Sequence, residues 1–171
     1  MKTGDIILVH STSKIAKIIQ KFQMKKDKEA GYWNHSGLIF VDESGVYVVE
    51  MAEVEGYKVK AATVFTPIAE YNDRELLILT PKTIVNVVTF KQIVFKYIGI
   101  PYDYKNLLIH QVWRLLTGDW IGRNKKKAWK RMICHEFTQK IWDEYAGYFP
   151  EWNRGKVYNI YRSKFFKRVK I

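Results

Sequence analysis

The chain has 171 residues, 47% of them hydrophobic and 27% charged, which is the composition of a folded domain and not of a disordered chain. Its single cysteine excludes an internal disulfide framework, and no apolar run approaches the roughly 18 residues that a membrane span requires. The net charge of +12 favours acidic partners, namely nucleic acid, anionic lipid or acidic polymers, without choosing among them.

The N-terminal segment predicts a strand followed by a helix. The apolar run Ile6–Val9 is of strand type, and isoleucines at helical spacing predict a helix over Lys14–Met24. The charged stretch Lys25–Tyr32 is predicted as a loop. An early Asp5 and a short apolar run are not typical of a signal peptide. We therefore expect a cytoplasmic location by default, with a phage-associated protein or export by another route as the alternative.

The clearest hairpin of the sequence follows. Two strand-like runs, Asn34–Val41 and Val46–Met51, flank a segment of turn composition, Asp42–Gly45. If the turn consists of the two residues Asp42 and Glu43, His35 faces Glu50 directly across the hairpin. If it consists of the four residues Asp42–Gly45, Glu50 lies one diagonal step from His35. Either register puts both side chains on one face. An imidazole beside a carboxylate is what a general base and its orienting partner require, but a half-buried histidine beside a solvated glutamate is the plainer interpretation.

Two more strands and a helix are predicted next. Tyr57–Phe65 alternates loosely and is ended by Pro67, and Glu75–Thr80 is a strong strand candidate. Thr83 is predicted to cap a helix that ends before Gly99. The expected apolar face of that helix consists of Ile84, Val87, Val88, Val94, Phe95 and Ile98.

The C-terminal half predicts a second helix over Asn106–Leu116, a basic loop over Gly122–Lys130 and a final strand within Tyr158–Ile171. No repeat, low-complexity tract or linker interrupts the sequence. The order of strands and helices predicts an α+β fold in one domain, residues 1–171.

The only cysteine stands at the start of a helical pattern, in the stretch Arg131–Tyr145. Phe137, Ile141 and Tyr145 follow Cys134 at spacing i, i+4, i+8 and form one apolar stripe. Cys134 therefore falls in or near the first turn, where unpaired N–H groups and the positive end of the helix dipole favour the reactive thiolate. Most free cysteines are small buried hydrophobes instead, and position alone favours that alternative.

The order of the candidate residues is informative, because His35 and Glu50 precede Cys134, whereas in papain-like enzymes the cysteine comes first. Together with five short pieces, this order resembles the circularly permuted branch of the NlpC-like, papain-fold peptidases and amidases, the YiiX/YebB-like group. The resemblance implies a permuted papain-like fold, with an antiparallel sheet or small barrel packed against helices. The pieces are Gly4–Val9, Asn34–Phe40, Val48–Met51, Gly99–Tyr104 and Ile133–Trp142.

The resemblance implies Cys134 as nucleophile, His35 as general base and Glu50 as the residue that orients His35. Tyr102 resembles the family's tyrosine near the nucleophile. His135 stands where serine is common in the group, and both residues are candidates for the oxyanion or substrate pocket. The implied substrates are amide or isopeptide bonds, above all in cell-wall peptides, with no cofactor and no metal. An acyl transferase or a lipid amidase remains an alternative on the same fold.

Three other readings compete with an enzyme. Lys125–Lys127 with Trp129 forms a basic patch of the kind that binds phosphate backbones, although we do not expect nucleic acid to be the main partner. A metal site built from His35, Cys134 and His135 would lack the paired ligands that zinc usually requires. An inactive structural or virion protein could also keep the fold.

Overall fold

The computed structural model describes residues 1–12, 17, 20–21, 23–25, 27–52, 62–103, 105, 109, 130–154 and 156–170. The strands in this part of the chain are β1 (Ile6–His10), β2 (His35–Asp42), β3 (Gly45–Ala52), β4 (Ala62–Pro67), β5 (Glu75–Pro81) and β6 (Phe166–Lys170). The α-helices are α1 (Lys28–Tyr32), α2 (Val87–Phe95), α3 (Cys134–Ala146) and α4 (Val157–Tyr161). Two 3₁₀ helices span Ile68–Tyr71 and Trp152–Arg154.

The strands among the described residues form one open antiparallel sheet in the order β4-β3-β2-β1-β5-β6. This confirms the expected α+β class, and the sheet is open and not closed into a small barrel. In the same part of the chain, no helix has both the length and the apolar character needed to cross a membrane.

The predicted hairpin of β2 and β3 is confirmed, in the register that places Glu50 one diagonal step from His35. Glu50 pairs with Gly37, and Asp42 pairs with Gly45, so the loop contains two residues and not the four expected for this register. The Asp42 carboxylate accepts a hydrogen bond from the loop N–H of Ser44 at 2.9 Å, which explains why so short a loop suffices. Because side chains alternate along a strand, His35 and Glu50 share a face.

The two faces of the sheet carry separate apolar clusters. The larger contains Leu38 and Phe40 of β2 together with Phe137 and Ile141 of α3. The smaller, on the opposite face, includes Ile39 and Val48 and is joined by Tyr71 of the first 3₁₀ helix. Strand alternation places His35 and Glu50 on the face of the smaller cluster. The site therefore begins on the face of the sheet away from α3.

The start of α2 differs from the prediction. Its N-cap is Asn86, whose side chain accepts a hydrogen bond from the Thr89 N–H at 3.0 Å, so Thr83 is not the cap. Ile84 precedes the helix and is 97% exposed. Of the six residues predicted for the apolar face only Val94 is buried, because Val87, Val88, Phe95 and Ile98 are exposed as well, so that prediction was wrong. The side chains that α2 buries are Phe90, Ile93 and Val94.

One further segment departs from the prediction, whereas the final strand lies within the range predicted for it. Lys28–Tyr32 is a short helix and not a loop, because Asp27 caps it by accepting a hydrogen bond from the Ala30 N–H at 3.0 Å. The C-terminal strand is confined to Phe166–Lys170, and α4 precedes it.

Several predictions lie wholly or partly outside the described residues. Residues 17, 20, 21, 23 and 24 of the predicted first helix are helical, as is Ile109 of the predicted second helix. The first part of the predicted strand, residues 57–61, and residues 122–129 of the basic loop lie outside the described part of the chain.

Gly37 lies opposite Glu50 in the hairpin, where there is no room for a larger side chain. A Cβ at this position would stand 2.5 Å from the Val48 Cγ1 atom and 3.3 Å from the Glu50 Cβ atom. We expect Gly37→Ala to lower the free energy of unfolding by about 1–3 kcal/mol, measured by urea denaturation. Val48→Ala, alone and combined with Gly37→Ala, is the control, because removing the Val48 methyl groups relieves part of the clash. If the stability lost in the double variant equals the sum of the losses in the two single variants, the predicted contact would be contradicted.

Candidate active site

Cys134 is the first residue of α3, as its position in the sequence predicts. The Glu136 carboxylate accepts a hydrogen bond from the Ile133 N–H at 3.2 Å, one half of a capping box that fixes the start of the helix. The Thr138 hydroxyl donates to the Cys134 carbonyl at 3.1 Å. The thiol is only 4% exposed. It therefore lies in a fixed position at the positive end of the helix.

Glu50 is a buried carboxylate with three hydrogen-bond donors around it. One oxygen, Oε2, bonds the Nε2 atom of His35. The other, Oε1, accepts hydrogen bonds from the Thr66 hydroxyl at 2.7 Å and from the Tyr71 hydroxyl. Burial raises the pKa of Glu50, but the charge and hydrogen bond of His35, with the two hydroxyls, outweigh burial and lower that pKa to about 2.

His35 connects Glu50 to the cysteine. It is the first residue of β2, its ring is half-buried, and it lies close enough to Cys134 for the two side chains to shift each other's pKa. Burial lowers the pKa of His35, but the negative charge on the Cys134 sulfur and the hydrogen bonds to Cys134 and Glu50 raise it to about 10. The imidazolium form is thus stabilised from both sides.

The Cys134 sulfur has a second imidazole beside it. The His135 Nδ1 atom lies 3.5 Å from the sulfur and 3.0 Å from the Ser36 hydroxyl, which in turn lies 3.1 Å from the Thr138 hydroxyl. Burial raises the pKa of Cys134, but the charges and hydrogen bonds of His135 and His35 lower it well below its usual range. The arrangement favours a thiolate paired with an imidazolium.

Tyr102 lies beside the chain segment that enters α3. It forms an isolated parallel bridge with Met132, and the Asp103 N–H donates to the Met132 carbonyl at 3.0 Å. Met132 stands two residues before Cys134. The half-buried Tyr102 also packs against the larger apolar cluster. The structure thus brings the Tyr102 backbone next to the segment leading to the cysteine.

Sequence reasoning missed four residues of this site: Thr66, Tyr71, Ser36 and Thr138. Thr66 could have been found once β4 was placed beside β3, because it is diagonal to Glu50 and on the same face. Tyr71 comes from a 3₁₀ helix that no periodicity indicates. Across the described ranges, no group of three or more His, Cys, Asp or Glu side chains is arranged to hold a metal ion.

A cysteine at a helix N terminus, near an imidazole that is held by a carboxylate, is the arrangement expected of a papain-type site. Residues 1–110 match the model of the permuted papain-like amidase enzymes of the YaeF/YiiX type, the C92 family. The chain therefore belongs to this family of cysteine peptidases and amidases. The matched range includes His35 and Glu50 and ends before Cys134.

A solved structure supports the fold over the whole chain. The crystal structure of metalloprotein yiiX from Escherichia coli O157:H7 is similar with a TM-score of 0.55, over 99% of this chain and 97% of that chain. The two sequences are 17% identical, so the likeness concerns the fold alone. No curated protein matches the sequence.

Tyr71 provides a test of how Glu50 is held. Tyr71→Phe removes one of the three donors, and we expect the pKa of Glu50 to rise by about one unit. A carboxyl group with a lowered pKa stabilises the fold above its ordinary value of 4.5, and this contribution is lost as the pH falls through the folded value of about 2. Because the unfolded-state pKa sets where this loss begins, the variant should lose less stability on acidification than the wild type and complete the loss at higher pH, as measured by urea unfolding across the acid range.

The matched control for this experiment is Tyr47→Phe. It removes a tyrosine hydroxyl that contacts Ser44 at 2.9 Å at the exposed end of the same hairpin. We expect its acid profile to follow the wild type. A Tyr71→Phe profile that also follows the wild type would show that the Tyr71 hydroxyl does not stabilise the Glu50 carboxylate.

Proposed function

We propose that the protein is a cysteine-dependent amidase or peptidase in which Cys134 is the nucleophile, His35 the general base and Glu50 the residue that orients His35. The observations that carry the proposal are the hydrogen bond between the His35 ring and the buried Glu50 carboxylate and the effect of His35 and Cys134 on each other, which raises the pKa of His35 and lowers that of Cys134. The family's activity agrees with this chemistry. The roles of the three residues and the scissile bond are our own inference.

The reaction would begin from the thiolate–imidazolium pair. The Cys134 sulfur attacks the carbonyl carbon of an amide and forms a C–S bond, and the carbonyl oxygen becomes an oxyanion. His35 donates its proton to the amine nitrogen as the C–N bond breaks, which leaves an acyl-enzyme. His35 then takes a proton from water, the water oxygen attacks the acyl carbon, and the C–S bond breaks to release the acid.

The groups around the three residues have distinct tasks in this mechanism. Glu50 fixes the ring orientation of His35 and stabilises its imidazolium form. Backbone N–H groups at the start of α3 would stabilise the oxyanion, and Tyr102 is the candidate side chain for the same task. His135 would favour the thiolate further and border the acyl pocket.

The proposed substrates are amide or isopeptide bonds in cell-wall peptides, which the resemblance and the amidase family together suggest. The net charge of +12 suits an acidic polymer around such a bond. The E. coli protein of similar fold is described as a metalloprotein.

We also propose that residues 1–171 form a single domain. The C-terminal strand β6 pairs with β5, which pairs with the N-terminal strand β1 in the same sheet. Both ends of the chain therefore contribute to one element of the fold. An independent C-terminal unit would not be expected to supply a strand to the sheet that contains the N-terminal strand.

Alkylation by iodoacetamide across pH tests the proposed site. We expect the wild-type thiol to react well below pH ~8.5, the usual thiol pKa, because the thiolate already forms there. In His35→Ala the pKa of Cys134 should rise, and the alkylation rate near pH ~6.5 should fall about a hundredfold if an ordinary thiol remains. Glu50→Gln and His135→Ser should shift the profile upward by smaller amounts.

His10→Ala is the matched control. His10 stacks on Tyr32 at 4.2 Å between ring centroids, and its loss should leave the profile unchanged. Cys134→Ala gives the background rate, since the chain has no other cysteine. A folded wild type whose thiol titrates in the ordinary range would refute the proposed nucleophile.

A further inference from the structure

The segment between β5 and α2, together with the first two residues of that helix, exposes three branched aliphatic side chains. Ile84 is 97% exposed, Val88 67% and Val87 43%. Branched aliphatic side chains that project this far into water are unfavourable there, and a contiguous exposed group of them marks an interaction site. The expectation that these residues lie inward on a helix was wrong, so no core contact accounts for them.

A basic groove lies directly beside these side chains. It has a volume of about 370 Å³, and its lining includes Lys2, Lys82 and Lys167 as well as Ile84 and Val87. None of the described residues that line it is acidic. All three lysines are exposed, and none forms an ion pair with a carboxylate in the part of the chain that the structure describes. Three exposed lysines and the exposed side chains of Ile84 and Val87 therefore line one groove, and Val88 follows Val87 at the start of α2.

We propose that this docking surface, defined by Lys2, Lys82, Lys167, Ile84 and Val88, attaches the protein to an anionic lipid bilayer. Aliphatic side chains that enter the acyl boundary and lysines that remain among anionic headgroups are the two requirements of interfacial binding. An acidic soluble partner would satisfy the lysines but leave Ile84 and Val88 without an apolar environment. The chemistry of the surface therefore favours a bilayer over a polyanion.

The docking surface lies at the opposite end of α3 from Cys134. The Asn86 N–H donates to the Tyr145 hydroxyl at 2.7 Å, and the Thr83 and Tyr148 hydroxyls lie 2.8 Å apart. Tyr145 is separated from Cys134 by three turns of helix, roughly 16 Å along its axis. Attachment through this surface would therefore not involve the end of α3 that carries Cys134. The proposal is therefore independent of the proposed function, and its variants leave the site untouched.

Sedimentation of the full chain with vesicles tests the proposal. We expect binding to vesicles of phosphatidylcholine mixed with phosphatidylglycerol, and little binding to phosphatidylcholine alone. Ile84→Ser combined with Val88→Ser should weaken binding about tenfold, because two aliphatic side chains no longer leave water. Lys82→Gln combined with Lys167→Gln should also weaken it about tenfold, and more salt should weaken the wild type.

Matched controls exist at the other end of β1. Lys17 and Lys21 are exposed, and Gln20 between them contacts His10, the last residue of β1. Lys2 of the docking surface, by contrast, precedes the first residue of β1. Lys17→Gln combined with Lys21→Gln removes the same charge, and Met24→Ser removes another exposed apolar side chain, so binding should persist in both. All variants should keep the wild-type alkylation profile of Cys134.

The other outcomes overturn the proposal. A wild type that ignores anionic vesicles, or binds both kinds equally, contradicts it directly. Equal losses in the surface and control variants would mean that only net charge matters. If substituting the lysines weakens vesicle binding but substituting Ile84 and Val88 does not, the surface would instead be one for a polyanion such as nucleic acid.

Discussion

The hydrogen bonds of the buried Glu50 carboxylate determine how the site is arranged. An isolated buried carboxylate is strongly unfavourable, so Glu50 stays charged only because Thr66, Tyr71 and His35 all donate to it. The same bonds hold the His35 ring at the start of β2, where it reaches the Cys134 sulfur. The negative charge of Glu50 thus raises the proton affinity of His35, and the charged ring lowers the pKa of the thiol.

The register of the β2–β3 hairpin makes this arrangement possible. A slip of one residue would turn either His35 or Glu50 toward α3 and separate the imidazole from the carboxylate. The register also brings Glu50 opposite Gly37, where a larger side chain would meet Val48 and Glu50 itself. The sheet therefore holds the pair and α3 contributes Cys134, so that the candidate active site joins elements far apart in the sequence.

Local sequence patterns are sufficient to predict much of this arrangement. Strand alternation and a short turn are sufficient to place His35 and Glu50 on one face, and helical spacing is sufficient to place Cys134 at a helix start. Tyr71 and Thr66 depend on how β4 and its 3₁₀ helix pack against β3, which no local pattern encodes. The exposed Ile84 was mistaken for a core residue because periodicity reports apolar spacing, whereas the Asn86 cap decides where α2 begins.

The central claim is that Cys134 carries the acyl group during turnover, and intact-mass measurement tests it most directly. The wild type would be mixed with a peptide-derived activated ester, quenched in acid within the turnover time, and mapped by peptide digestion. The account predicts a single acyl adduct on the peptide that contains Cys134, a much slower appearance of that adduct in His35→Ala, and none in Cys134→Ala. An adduct at another residue, or turnover that persists in Cys134→Ala, would contradict it.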